Sequence, residues 1–478
     1  MLFNSLSFAV FLILVFIFYW FVANKNLKFQ NLLLLASSYF FYSCWDWRFL
    51  FLLLFSTLLD YYSGIQIEKS KIAVQRKFWF WLSIVINLGF LGVFKYFNFF
   101  ADSFADLLSI FGFQVNVWSL QVILPVGISF YTFHGLSYVI DVYKKRITVE
   151  KNFVDYAVFV SYFPLLVAGP IERATHLLPQ IKRKRTFNYN QAVDGLRQIL
   201  WGLFKKIVIA DNCAEYVDMI FNNSDDYSGS TLVMGAVFFA FQIYGDFSGY
   251  SDIALGTSRL LGIELLKNFS FPYFSRDIAE FWRRWHISLS SWFKDYLYIP
   301  LGGSKGGKWM QIRNTFAIFL VSGFWHGANW TFIAWGALHA IYFLPLLLFN
   351  KNRNHLEIVA QDRFLPTFKE ATSILATFGL TTFAWIFFRA NNLHHALEYI
   401  SKIFSKSLFT LPEVRPSNVI LLIIIFMLVE WWGRKDNYTL EKLGFQYNRA
   451  FRWSMYLAIL IAIFIFGAKE QQFIYFQF

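Results

Sequence analysis

From Leu2 to Ala23 the chain runs without one charged side chain, and apolar stretches of similar length recur along its 478 residues. About 20 consecutive apolar residues cross the hydrocarbon layer of a bilayer. Charged residues make up 15% of the chain, against roughly 25% in soluble domains. A chain this apolar cannot hide its surplus in one water-soluble core, and the pattern predicts an all-α polytopic membrane protein. Spans are predicted over 2–23, 29–45, 48–62, 78–99, 118–142, 153–170, 192–210, 230–250, 314–348, 371–388, 417–433 and 452–468. The first is read as a retained span, because a cleavable signal would show a basic start and a shorter apolar run. Neither a soluble domain nor a solenoid repeat is visible, so 1–478 reads as one integral membrane domain.

The formal net charge is +13. Its cations sit in short connections between apolar runs, such as Lys182-Arg183-Lys184-Arg185, as the positive-inside rule expects. With no fold-specific motif beside that charge, nucleic acid is not an expected partner. Cys44 and Cys213 form no CxxC pair and indicate neither a metal site nor a disulfide framework.

Three segments depart from simple spans. The stretch 314–348 is too long for one crossing and is interrupted by Gly323, Gly327 and Asn329, which predicts two helices meeting at a break. The stretch 153–170 holds Pro164, ends in Gly169-Pro170 and has basic clusters at both ends. If both clusters face one side, it dips in and returns, which is tolerated only where protein or a water-filled cavity covers the backbone. Over 277–299, Ile278, Trp282, Leu289, Phe293 and Tyr296 fall at helical spacing, with Arg283, Arg284 and Lys294 on other faces. That predicts an amphipathic helix lying in the interface.

Ionisable residues inside spans are costly and mark functional candidates. His326 stands in Val321-Ser-Gly-Phe-Trp-His-Gly-Ala-Asn-Trp330. A neutral imidazole there is suited to accept the proton of an attacking hydroxyl; it is equally suited to bond two helices through a backbone carbonyl. Taken alone, His286 reads more readily as an amphipathic filler, and His134 as a packing residue with a lesser claim to a direct role. His176, His339, His355, His394 and His395 read as loop or packing residues. Gln242, Asp246 and Asp252 share one short stretch, where a carboxylate can orient a histidine, bind a polar substrate or be tied to neighbouring hydroxyls. No histidine is followed five residues later by aspartate, and the chain contains no G-x-S-x-G elbow, zinc helix or P-loop.

Five ordered segments carry a resemblance: Pro125-Val-Gly-Ile-Ser-Phe-Tyr-Thr-Phe, Phe163-Pro-Leu-Leu-Val-Ala-Gly-Pro-Ile171, Asp246-Phe-Ser-Gly-Tyr-Ser-Asp252, Phe281-Trp-Arg-Arg-Trp-His-Ile-Ser-Leu-Ser290 and Gly323-Phe-Trp-His-Gly327. Together they resemble the membrane-bound O-acyltransferase family, and its bacterial branch that acetylates exported polysaccharide. The likeness covers 1–348, the motif-bearing core, and leaves 349–478 as C-terminal helices. It implies a ring of transmembrane and re-entrant helices around a central tunnel. It also implies that His326 is the catalytic histidine and His286 the second polar residue, assisting at the far end of the same tunnel or holding the donor. Asp246, Asp252, Gln242 and His134 would support them, while Arg283, Arg284 and Lys294 would meet donor phosphates. No bound cofactor or metal is implied. The donor would be acetyl-CoA or a carrier-linked thioester on the cytoplasmic side of a bacterial inner membrane. The acceptor would be a polysaccharide outside, reached through a periplasmic or extracellular acetyltransferase-like partner. Two alternatives stand beside this reading: a sister branch that moves D-alanine to teichoic acid, and a transporter relaying protons through its histidines.

Overall fold

The computed structural model describes residues 1–113, 119–120, 124–167, 169–467, 471 and 473–474. Trp118 and residues 121–123, at the start of one predicted span, lie outside the described residues, as do Ala168 and Ala468. The described residues form helices and connections without a strand. Six helices are long and apolar enough to cross a membrane: Arg48–Lys69, Ala73–Ile110, Gly229–Leu260, Trp330–Leu348, Phe368–Arg389 and Arg449–Phe466. The chain is a multi-pass membrane protein, and its lipid-facing character is plain in Arg449–Phe466, an apolar helix with no buried residue.

The chain divides into two compact units, Met1–Val193 with Thr257–Leu266, and Asp194–Gly256 with Lys267–Phe478. This division differs from the boundary at 348 that the motifs marked. In the first unit, Phe153–Ser161 is only nine residues long and is followed by a single tight turn over Phe163–Leu165. At 1.5 Å per residue it extends about 14 Å, half the hydrocarbon thickness. It does not cross as a continuous helix, as its prolines and glycine foretold.

The second unit holds six elements that build the site. They are α1 (Gly229–Leu260, whose last turn belongs to the first unit), α2 (Ile278–Arg284), α3 (Ile287–Phe293), α4 (Gly307–His326), α5 (Trp330–Leu348) and α6 (Phe368–Arg389). The predicted break in 314–348 is present: Gly327 is extended and ends α4, and the Asn329 side chain accepts the Thr331 N–H to start α5. The two helices cross at glycines. A Cβ on Gly323 would lie 2.2 Å from the Phe332 carbonyl oxygen, and one on Gly336 would lie 2.3 Å from that of Phe319. Backbones this close admit no side chain at the crossing, the usual device of membrane helix pairs.

The single interfacial helix predicted for 277–299 is not what forms. The segment breaks at His286 into α2 and α3, and Phe281, Trp285, Leu289, Trp292 and Phe293 are buried in the second unit. Its cations are met within the fold, Arg284 by Glu280 and Arg283 by the Asn352 and His355 carbonyls, so the polar faces do not hold the segment at a surface.

Candidate active site

The break at His286 is a strained one. Its backbone is left-handed, with φ 43° and ψ 54°, a region that residues with a Cβ rarely occupy and that tends to mark functional sites. The turn presses the ring, fully buried, against its surroundings. Asn268 holds it there. Asn268 Oδ1 lies 2.9 Å from His286 Nδ1 and also accepts the Ser288 hydroxyl at 2.9 Å, while Asn268 Nδ2 donates to Ser251 Oγ at 3.2 Å. An oxygen at this point requires a proton on Nδ1. Nε2 is then left with its lone pair and has no hydrogen-bond partner among the described residues. The remaining face is closed by Phe247 of α1, edge-on at 4.7 Å between ring centres.

His326, the last residue of α4, stands beside it. The two imidazoles are 6.4 Å apart between ring centres. His326 is nearly buried at 4% exposure, within a cage of Trp325 (4.9 Å), Trp335 (5.1 Å) and Phe388 (5.3 Å). The start of α3 and the end of α4 thus bring the two histidines side by side.

A cavity of about 900 Å³ lies along α3 and α4. Trp282 and Leu289 line it, and they stand four residues before and three after His286. Ser322 and Phe319 also line it, one and two turns before His326 on α4. The cavity is thus lined by side chains of α3 and α4, the two helices whose ends carry the histidines. Lys294, Lys305 and Arg353 line the cavity, and no carboxylate does. Of the three predicted donor contacts only Lys294 is there. Arg283 donates to the Asn352 and His355 carbonyls at 2.8 and 2.7 Å, and Arg284 pairs with Glu280 at 2.8 Å. Their guanidinium groups fasten a loop and a helix turn, and neither is among the cavity-lining residues.

The acidic residues of α1 serve other partners. Asp246 pairs with Lys206 at 2.9 Å and accepts the Ile474 N–H at 2.6 Å. Asp252 pairs with Lys205 at 2.6 Å and accepts from Gln198 at 2.8 Å. Neither is bonded to a histidine in these contacts; Phe247, next to Asp246 in the chain, is the α1 residue that meets His286. Gln242, one turn before Asp246, is buried with no hydrogen-bond partner for Oε1 among the described residues. His134 belongs to the first unit. Its Nε2 accepts the Glu172 N–H at 3.2 Å, and its Nδ1 lies 3.5 Å from the Val160 carbonyl oxygen. Glu172 in turn accepts the Leu266 N–H at 2.6 Å and contacts His176 at 2.8 Å. Lys205 and Lys206, missed by the sequence reading, sit within a predicted span, where buried charge must find an opposite partner. Asn268 carries no comparable signal. No group of three or more potential metal ligands occurs among the described residues.

Residues 144–383 match the membrane-bound O-acyltransferase family. The chain is 38% identical to the "Probable alginate O-acetylase AlgI" of Pseudomonas aeruginosa, across 92% of this chain and 82% of that one. It belongs to the membrane-bound O-acyltransferase family. This family member is also 38% identical to the peptidoglycan O-acetyltransferase of Helicobacter pylori, over 79% of this chain and 74% of that protein. A more distant likeness, 27% identity over 56% of this chain and 70% of the relative, joins it to the teichoic acid D-alanyltransferase of Bacillus subtilis. It is a membrane-embedded enzyme of O-acyl transfer, and the transporter alternative falls.

Proposed function

We propose that this enzyme moves acetyl groups from a thioester donor on the cytoplasmic side of a bacterial inner membrane to the hydroxyls of an exported or cell-surface polysaccharide. The observation that carries the reading is a cation-lined cavity along α3 and α4, the two helices whose ends bring two buried histidines together. Lys294, Lys305 and Arg353 suit the phosphates of acetyl-CoA or of a carrier-linked thioester arm. The same end of the helix pair bears Lys308, Arg313 and Lys351, a basic end that supports a cytoplasmic placement by the positive-inside rule. His326 lies about 20 Å further along α4 from Arg313, at 1.5 Å per residue. A donor entering from the basic end would present its thioester carbonyl to the histidine pair, and an acceptor would approach from the other side.

In the proposed reaction His326 takes the proton of the acceptor hydroxyl as its oxygen attacks the thioester carbonyl. The C–S bond then breaks, and the departing thiolate takes that proton. Positioned base catalysis of this kind contributes typically 10²–10⁴-fold. His286 presents its Nε2 lone pair to the same space, as a second acceptor for the hydroxyl proton. The role of Asp246, Asp252 and Gln242 is to hold α1, and through Phe247 the His286 ring. A periplasmic or extracellular acetyltransferase-like protein would receive the group where the acceptor is too large to reach the site, and an acyl-carrier protein is a possible donor. The likeness to the D-alanyltransferase keeps alanyl transfer as a second reading.

The test is His326→Ala in cells. Loss of polymer O-acetyl at normal protein levels in the membrane supports the proposal. Unchanged acetylation contradicts it, and mass analysis showing alanyl esters on the wild-type polymer replaces it with the second reading.

A further inference from the structure

Outside the histidine pair, a third buried imidazole has no part in the reaction as proposed. His339 lies on α5, fully buried. Its Nδ1 accepts the Trp282 indole N–H at 3.2 Å, so the proton of the neutral ring sits on Nε2, which has no hydrogen-bond partner among the described residues. The ring stacks flat on Phe281, 6.2 Å between centres with 5° between planes, and meets Trp335 edge-on at 4.9 Å. His339 is not among the residues lining the cavity, whereas Trp282 is. A buried indole N–H needs an acceptor, and this one fixes the turn of the Trp282 ring where it forms the cavity wall beside Phe319. Through Trp335, which stands edge-on to His326 at 5.1 Å, the same imidazole also abuts the cage of the second histidine.

We propose that His339 is a positioning residue: by holding the Trp282 N–H it sets the shape of the inner cavity wall against which the thioester end of the donor is seated. It touches neither donor nor reacting atoms. The inference rests on the cavity being the donor site. An aromatic residue at 339 would fill the same space and preserve the stacking, but it would leave the indole N–H without an acceptor and free the Trp282 ring to turn. Asparagine would return an acceptor oxygen close to the Nδ1 position.

The experiment compares wild type, His339→Phe, His339→Asn, Trp282→Phe and the double variant His339→Phe/Trp282→Phe as purified full-length proteins. Binding of radiolabelled acetyl-CoA is measured for each, with thermal stability recorded alongside. His339→Phe is expected to weaken acetyl-CoA binding about fivefold, the worth of one ordinary hydrogen bond. His339→Asn is expected to bind as wild type does. The double variant is expected to bind no more weakly than Trp282→Phe, because with the donor gone the acceptor has nothing left to hold. Weakening in His339→Phe that asparagine does not rescue, additive losses in the double variant, or unchanged binding in His339→Phe each overturn the positioning role while leaving the donor site intact. Wild-type protein that does not bind acetyl-CoA removes the donor assignment and this inference together. Wild-type binding with unaltered His339→Phe binding removes only the inference.

Discussion

His134 and His286 are both buried histidines of a membrane protein, at 1% and 0% exposure, yet they are put to opposite uses. His134 is engaged by backbone on both sides of its ring, by the Glu172 N–H and the Val160 carbonyl. It has no remaining lone pair or proton to offer a substrate. His286 is engaged on one side only, by the Asn268 oxygen; its other nitrogen has no hydrogen-bond partner among the described residues, and its ring lies 6.4 Å from that of His326. Burial of an ionisable group in a membrane protein is therefore an incomplete sign of function. The second requirement is chemical capacity left over after the fold has satisfied the ring.

Replacing each histidine separates the two cases. His286→Ala is expected to lower acyl transfer roughly hundredfold or more, within the range of positioned proton-transfer groups, with little effect on stability. The Asn268 oxygen keeps its Ser288 donor, so no buried group is orphaned. Comparable activity in that variant would erase the contrast. His134→Ala is expected to do the reverse. It leaves the Glu172 N–H without an acceptor, at a cost of about 1–3 kcal/mol, seen as a lower unfolding temperature, while transfer per folded molecule stays unchanged. Loss of activity without loss of stability would show that His134 belongs to the chemistry. The smallest effect is expected at the cavity mouth. Lys294→Gln should raise the donor KM two- to fivefold, about what an exposed charge contributes, and the increase should shrink as salt is added.

Much of this was legible before any fold was known. Long apolar runs mark the six helices long enough to cross a membrane, half of the twelve spans expected, and Gly327 with Asn329 marks the turn between α4 and α5, because an extended glycine and a side-chain cap end one helix and start the next. The shortness of Phe153–Ser161 follows from Pro164 just beyond it, with Gly169 and Pro170 after. What could not be read is instructive in physical terms. The break at His286 depends on a left-handed residue that is not glycine, so the sequence carries no mark of it and the segment scans as one helix. Asn268 is 18 residues from the ring it orients, joined by a loop of no fixed period. The cavity cations come from α3's end, a glycine-bearing turn and the connection after α5, three places that only the fold brings together. Arg283 and Arg284 were expected to meet donor phosphates; in the fold they fasten a loop and a helix turn. Lys205 and Lys206 were the one signal within reach, since two charges in an apolar run call for buried carboxylates, here Asp252 and Asp246.

The central claim is that His326 performs proton transfer at the end of a donor cavity rather than holding two helices together. The most direct measurement is acyl transfer and donor binding side by side in purified wild-type and His326→Ala protein, with acetyl-CoA as donor. The account predicts that the variant binds acetyl-CoA with unchanged affinity, unfolds at nearly the wild-type temperature, and transfers at least about a hundredfold more slowly. Transfer at the wild-type rate would contradict it, as would a variant whose loss of activity is matched by loss of the folded protein.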